Sequence, residues 1–365
     1  MGIKMTERKL VTIEKVLGIS PIAKSDNLEK ATIRGWSVVV KRGAFQVGDY
    51  CVFFEIDSFL PLEQKYEFLR KSSFRKNGNG EEGFRLKTVK LRGQISQGLA
   101  MSLADCDIYQ ESENVWKYSN PIGNTYFIDP NSNEDLSNIF NVVKYEPAIP
   151  KSLSGMAKGT FPSYIPKTDQ ERIQNLFSDP DQLKEILGNT FEITLKLDGT
   201  SATYYKNVGG EIGACSRNLD LKLEDNSSMY VKFSRETGIL DIIPEGYAIQ
   251  GELYGNGIQG NHDKLPTVSL YVFDIFDIVN QKYLTPLERK TFFEQYLTGK
   301  HEKIKHVPIF PQAYFGDDMT LEQLLEVSNK MPSINNPICE GLVYKRIDGK
   351  YSFKVISDKF LCLEE

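Results

Sequence analysis

Polar and apolar positions alternate from Phe191 to Asp198: Phe191, Ile193, Leu195 and Leu197 interleave with Glu192, Thr194, Lys196 and Asp198. That period belongs to a half-buried strand, with the apolar set on one face and Lys196 and Asp198 together on the other. Gly199 follows, where a residue without Cβ lets the chain turn tightly or another backbone come close. Short β-branched and aromatic runs predict strands at Leu10–Ile13, Ala31–Ile33, Trp36–Val40 and Tyr50–Phe54. Turn signals separate them at Lys24–Asn27, Arg34–Gly35 and Gln46–Asp49. Another strand is expected from Phe84 to Leu91, with a bulge where its alternation slips near Thr88. Asn77–Gly80 reads as a flexible loop tip.

Several short strands within about 100 residues fit a small Greek-key barrel. The reading adopted is an OB-like module over residues 1–115, with an SH3-like barrel as the alternative. Residues 116–165 read as a connector, because Asn120–Gly123, Glu146–Pro150 and Phe161–Ser163 interrupt regular structure. Thr168-Asp169-Gln170-Glu171 has the form of a capping box and predicts a helix over Arg172–Phe177. Asp179-Pro180 opens a second helix that Gly188 ends. Strands dominate from Phe191 on, with helices near Pro286–Leu297 and Thr320–Lys330. The fold class is therefore α+β: an N-terminal OB-like β-barrel, then a mixed antiparallel-sheet domain over residues 166–365.

Composition narrows the function classes. The 365 residues allow two domains and a sizeable core, and 40% hydrophobic with 25% charged is ordinary for a soluble chain. No apolar run reaches the length of a membrane span, and the N-terminus has no signal-peptide pattern. Met1–Thr6 formally fits the myristoylation pattern, but no second anchor accompanies it. Cys51, Cys106, Cys215, Cys339 and Cys362 are scattered without a CxxC pair, which points away from zinc and toward a reducing, intracellular compartment. His262, His301 and His306 are too few and dispersed for a His-based metal site or a Ser/His triad, and read as surface or loop residues. Net charge is −5, yet residues 65–92 carry nine Lys/Arg against three acids. Within that stretch Arg70, Lys71, Arg75 and Lys76 are candidate phosphate contacts, and Tyr66, Phe68, Phe74 and Phe84 are candidate stacking groups.

The chemistry centres on Lys196-Leu197-Asp198-Gly199, a lysine beside a carboxylate at a strand end and a candidate covalent nucleophile. Downstream, in order, come Ser216-Arg217-Asn218, Gln250–Gly255, Tyr271–Asp277, Glu340–Lys345 and Ser352–Val355. This ordered set resembles the nucleotidyltransferase motifs of ATP-dependent polynucleotide ligases, most closely RNA ligases of the RNA ligase 2 type. The resemblance covers roughly residues 160 to 360. It implies attack of the Lys196 amine on the α-phosphorus of ATP, loss of pyrophosphate and a lysine-AMP intermediate. AMP would then pass to a 5′-phosphate, and a 3′-OH would seal the junction at nicks in RNA-containing duplexes.

The resemblance also implies roles. Asp198, Glu252 and Glu340 would surround Mg2+ or Mn2+, largely through water. Such a cation offsets a conflict, because Asp198 alone would raise the Lys196 pKa and keep the amine protonated. Glu252 matches the glutamate near the ribose, Arg217 the arginine that reaches the ribose or strand end, and Phe273 the aromatic that stacks on adenine. Glu340 matches the metal-associated glutamate, Lys354 a lysine on the α-phosphate, and Arg172 a basic group that reaches the triphosphate. The family's second lysine, two places after Lys354, is Ile356 here; Lys345 and Lys359 are the candidates to replace its charge. The Gly-rich stretch Gly255–Asn261 is not a P-loop, since no Gly-Lys-Ser/Thr follows, and reads as a loop near the substrate. Only eleven residues follow Lys354, which leaves no room for the C-terminal OB module of DNA ligases and capping guanylyltransferases. Those two enzymes and a non-catalytic OB nucleic-acid-binding protein are the alternatives. The expected protein is a soluble monomer acting on RNA and not on membranes.

Overall fold

The computed structural model describes residues 8–23, 25–112, 115–120, 123–146 and 155–363. The Met1–Thr6 pattern, Lys24 of the first turn signal, and the breaks at Pro121–Ile122 and Pro147–Pro150 lie outside these residues. The chain divides into two units near residue 150.

In the first unit the strand Val11–Pro21 serves two partners. Its first half pairs antiparallel with Tyr50–Phe54, and after an irregularity at Val16/Gly18 its second half pairs with Leu28–Ile33. Trp36–Lys41 continues the sheet on one side and Leu99–Ser102 on the other. The apolar run Tyr50–Phe54 is explained by burial on both faces. Val52 and Phe54 pack with Val11, Ile13 and Met101, whereas Cys51 and Phe53 pack with Val16, Ala31, Trp36 and Val38. This is the OB-like architecture expected.

Three local readings change in this unit. The Phe84–Leu91 strand is two strands, Glu82–Arg85 and Val89–Leu91, paired with different neighbours. Leu86 turns inward to the core between them, so the phase slip marks a break and not a bulge. The Asn77–Gly80 tip is tied by Asn77, whose Oδ1 accepts from Asn79 N and Glu81 N, both at 3.0 Å. Residues 116–120 and 123–146 are built into the first unit. Strands Ile108–Ser112, Val115–Ser119 and Thr125–Ile128 form an antiparallel meander, and Trp116, Tyr118, Ile128, Leu136 and Phe140 are buried in the same core as Val11 and Phe54.

Among the described residues the second unit holds two sheets. The larger runs Ala157–Thr160, Leu219–Leu221, Ile212–Cys215, Thr200–Lys206, Tyr247–Tyr254, Ser269–Asp277 and Lys282–Tyr283, with Ile304–His306 parallel to Ser269–Asp277. The smaller has the order Glu171–Arg172, Ser352–Ile356, Gly341–Arg346, Asn189–Lys196, Ile309–Phe315. The Pro180–Ile186 helix starts where expected, Asp179 Oδ1 accepting from Asp181 N and Gln182 N. Thr285/Glu288 and Thr320/Gln323 form capping boxes at the two later helices. The pattern reading passed over the helix Met229–Thr237, which buries Tyr230, Val231, Phe233, Ser234 and Thr237 and ends at Gly238 in the left-handed region. Among the described residues no helix is long and apolar enough to cross a membrane.

The capping-box helix at Arg172–Phe177 is also corrected. Glu171–Arg172 pairs in parallel with Phe353–Lys354, and the helix is one turn, Ile173–Leu176, without a side-chain cap. The Asp169 carboxylate is drawn to basic side chains instead of to the helix terminus.

Candidate active site

Lys196 closes its strand opposite Gly341, and Lys196 Nζ donates to Glu340 Oε1. The Thr200–Lys206 strand, which follows directly, pairs with Tyr247–Tyr254 and sets Ser201 opposite Glu252. A Cβ on Gly199 would lie 2.4 Å from Leu253 O and 2.8 Å from Glu252 Cγ. The glycine of the lysine motif is therefore required by the approach of the Glu252 strand.

Charge in this cluster is unbalanced. Burial alone would lower the Lys196 pKa, but the carboxylates of Glu340, Glu252 and Asp198 outweigh it and hold it above the ordinary lysine value. The free protein therefore keeps Lys196 as an ammonium, with no lone pair for attack. Burial, opposed by the Lys196 charge and reinforced by that of Glu340, pushes the Glu252 carboxyl up to about 8. Glu340 Oε2 is buried and has no hydrogen-bond partner. Hard carboxylate oxygens, one of them unsatisfied, suit Mg2+ or Mn2+. Among the described residues no group of three His, Cys, Asp or Glu is placed to hold a cation directly. Asp198, Glu252 and Glu340 are the carboxylates that could hold such a cation beside Lys196.

A second cluster lies on the Ser352–Ile356 strand. Lys354 sits beside Arg172 in the parallel pairing and opposite Val343 in the antiparallel one. Burial, with the charges of Arg172 and Lys196, lowers the Lys354 pKa, and Asp169 works against the shift. Asp169 receives Lys354 Nζ at 2.9 Å and Arg217 Nη2 at 3.4 Å. One carboxylate thus joins two side chains singled out separately. In the sequence it lies inside the Thr168–Glu171 capping-box spacing, which gives no sign of these partners.

Phe273 occupies a β-bulge. The pairing of Tyr247–Tyr254 with Ser269–Asp277 shifts between Gln250 and Gly251, so Asp274 and Val272 are paired and Phe273 is the extra residue. The bulge leaves Phe273 partly exposed between buried Val272 and Asp274. Beneath it, Lys345 Nζ donates to Phe273 O and Asp274 Oδ1, both at 2.6 Å, and stands 5.6 Å from the Phe273 ring centroid. Lys345 is therefore committed to this floor and does not replace the missing second lysine, while Lys359 lies exposed on the last helical turn. Burial lowers the Lys345 pKa to about 8 against the pull of Asp274. Arg289, fully buried, pairs with Glu192 and lies 3.8 Å from Asp274. Arg289 Nε also donates to His306 Nε2 at 3.2 Å, so the proton on His306 sits at Nδ1, which donates to Val307 O at 2.7 Å. His306 is thus half-buried and bonded, not a surface residue.

The basic stretch lies in the first unit. Arg70 is held by Glu67 at 2.6 and 2.7 Å, and Lys76 by Glu82 at 3.2 Å. Lys71 and Arg75 are exposed, and Arg75 Nη1 donates to Phe74 O at 2.6 Å. Tyr66 and Phe84 are fully buried in the core and cannot stack on bases; Phe68 is exposed and Phe74 half-buried.

A family model described as an OB-fold domain matches residues 10–103, and one described as RNA ligase matches residues 189–356. No curated protein sequence matches the chain. Among solved structures, Naegleria gruberi RNA ligase with pyrophosphate is 38% identical, with a TM-score of 0.80 over 97% of this chain and 98% of that one. Two substituted forms of the same ligase, one with ATP and Mn and one with AMP and Mn, are each 39% identical with the same coverage and a TM-score of 0.80.

Proposed function

The chain belongs to the RNA ligase family, and from that premise we propose that it joins RNA ends by way of AMP carried on Lys196. The observation that carries this reading is the Lys196 ammonium on Glu340, with Glu252 and Asp198 acting on the same charge. In the first step the Lys196 amine attacks the α-phosphorus of ATP; a P–N bond forms, the bond to pyrophosphate breaks and the amine loses its proton. A 5′-phosphate oxygen of the RNA then displaces the lysine and takes the AMP. Finally a 3′-OH attacks the 5′-phosphorus, and AMP leaves.

Asp198, Glu252 and Glu340 would hold a divalent cation, which would supply positive charge to offset the carboxylates and the phosphates. The side chains account for the rest. Lys354, with Arg172 beside it, places positive charge for the α-phosphate and the departing pyrophosphate. Phe273, raised on its bulge, offers a ring face to adenine, and Lys345 fixes that bulge from below. Arg217 reaches the ribose or the RNA end. The first unit, to about residue 149, binds the nicked duplex through Lys71, Arg75 and their paired neighbours Arg70 and Lys76.

The test is labelling with ATP radioactive at the α-phosphate. The expected result is AMP on Lys196, lost in Lys196→Ala; a label that survives the substitution refutes the assignment. Nicked duplexes with RNA or DNA on each side of the break then test the substrate. RNA at the 3′-OH side is expected to be required, and equal sealing of all-DNA nicks would transfer the activity to DNA.

A further inference from the structure

The loop after the Glu252 strand is built with unusual expense. Gln259, Asn261 and Lys264 adopt positive φ angles of 46°, 40° and 52°, a region that non-glycine residues occupy at a cost. The loop is held in that shape from within and from outside. Asn261 brackets Leu265 through Leu265 N to Oδ1 and Nδ2 to Leu265 O, both at 3.0 Å. Asp263, buried, accepts from Tyr254 Oη at 2.9 Å, Ser333 Oγ at 2.6 Å and Asn335 N at 2.6 Å. Asn336 Nδ2 donates to His262 O at 3.0 Å.

The side chain this framework presents is His262. Its Nε2 lies 3.4 Å from Asp198 Oδ2, and its ring meets the Phe360 ring edge-on with centroids 5.0 Å apart. A Cβ on Gly260 would come within 2.9 Å of His262 Nε2, so that glycine is what leaves room for the ring. In the neutral Nε2–H tautomer and in the protonated ring alike, the nitrogen 3.4 Å from the carboxylate carries a proton.

We propose that His262 is a positioning residue for Asp198, presented by the clamped Gly255–Leu265 loop. The inference rests on the reading of the Lys196 pocket as the site of AMP transfer. Asp198 directly follows the nucleophile strand, and Lys196 Nζ takes Glu340 as its hydrogen-bond partner. His262 Nε2 faces the Asp198 carboxylate at 3.4 Å from a segment 64 residues further along the chain. The acid therefore keeps one orientation toward the reaction centre, as outer hydrogen-bond partners do for groups around a reacting cation. His262 itself need touch neither ATP nor RNA.

The experiment is a double-mutant cycle on the full chain. His262→Ala, Asp198→Asn and the double substitution are compared for the maximal rate of AMP transfer to Lys196, the ATP concentration at half that rate, and the urea midpoint. His262→Ala is expected to slow transfer about tenfold at saturating ATP, with the half-saturating ATP concentration unchanged. In the Asp198→Asn background it should slow transfer no further, and the urea midpoints should show the same coupling. His262→Asn, which keeps an N–H donor, should recover part of the rate. Gly260→Ala, which displaces the ring without removing it, should slow transfer as His262→Ala does, and it carries the test if His262→Ala does not fold. Losses that multiply across the cycle, or a wild-type rate in His262→Ala or Gly260→Ala, overturn the proposal with the pocket's function intact. A wild-type chain that takes no label refutes the reading of the pocket and this inference with it.

Discussion

Asp169 Oδ1 accepts a hydrogen bond from Lys354 Nζ at 2.9 Å, across 185 residues of chain. The same carboxylate reaches Arg217, so two cations of the site share one acid in the free protein. Lys354→Ala should lower the rate of AMP transfer about a hundredfold or more, since it removes charge where phosphate charge develops. Asp169→Asn keeps the lysine and weakens one charged hydrogen bond, so a loss of about tenfold is expected. Single-turnover labelling of both variants checks this, and equal losses would contradict the division.

Phe273 should act on binding and not on the chemical step. Its ring is the partly exposed extra residue of a bulge, and a stacking role contributes to binding the base. Phe273→Ala should raise the half-saturating ATP concentration about tenfold and leave the maximal rate within about threefold of wild type. ATP titrations of the labelling rate separate the two; a fall in maximal rate at unchanged ATP dependence goes against the stacking role.

Lys345 gives a pH signature in stability. Its folded-state pKa is lowered to about 8 from 10.5. Above pH 8 the folded chain releases this proton while the unfolded chain keeps it up to the ordinary lysine value. The unfolded state then binds more protons, and stability from this group rises with pH between about 8 and 10.5. Below pH 8 the unfavourable burial of the charge is fully present. Wild type should therefore gain stability relative to Lys345→Met as pH rises from 7.5 to 9.5, read as urea midpoints. A gap that narrows would show that the ammonium is not depressed.

The surface basic residues are unequal. Arg70 and Lys76 are already paired to Glu67 and Glu82, whereas Lys71 and Arg75 are exposed and meet no acidic partner among the described residues. Neutralising Lys71 and Arg75 together should reduce the slope of log affinity against log salt for a nicked duplex by about 1.8, and neutralising Arg70 and Lys76 by less. Gel-shift affinities over a salt series measure both pairs. A slope unchanged in all four substitutions would move duplex binding to another face of the first unit.

The sequence by itself determined the strand that carries Lys196, because alternation marks it, although the strand ends at Lys196, with Asp198 beyond it, and buries Glu192 and Thr194 of its polar face as well. It also determined the four early strands, the helix start at Asp179-Pro180, the two later helices near Pro286 and Thr320, and the order of motifs that marks an RNA ligase. Those signals are local: each rests on residues within a few positions of one another. What the tertiary structure decided was every relation between distant segments. Thr168 to Glu171 has capping-box spacing, but Glu171–Arg172 pairs as a strand with Phe353–Lys354, and the Asp169 carboxylate within that box meets Lys354 and Arg217. Lys345 looked available to phosphates until burial against Asp274 committed it. Tyr66 and Phe84 looked like stacking groups until the core took them. The bulge at Phe273 and the seat of His262 beside Asp198 depend on strand register and on a clamped loop, which no period along the chain encodes.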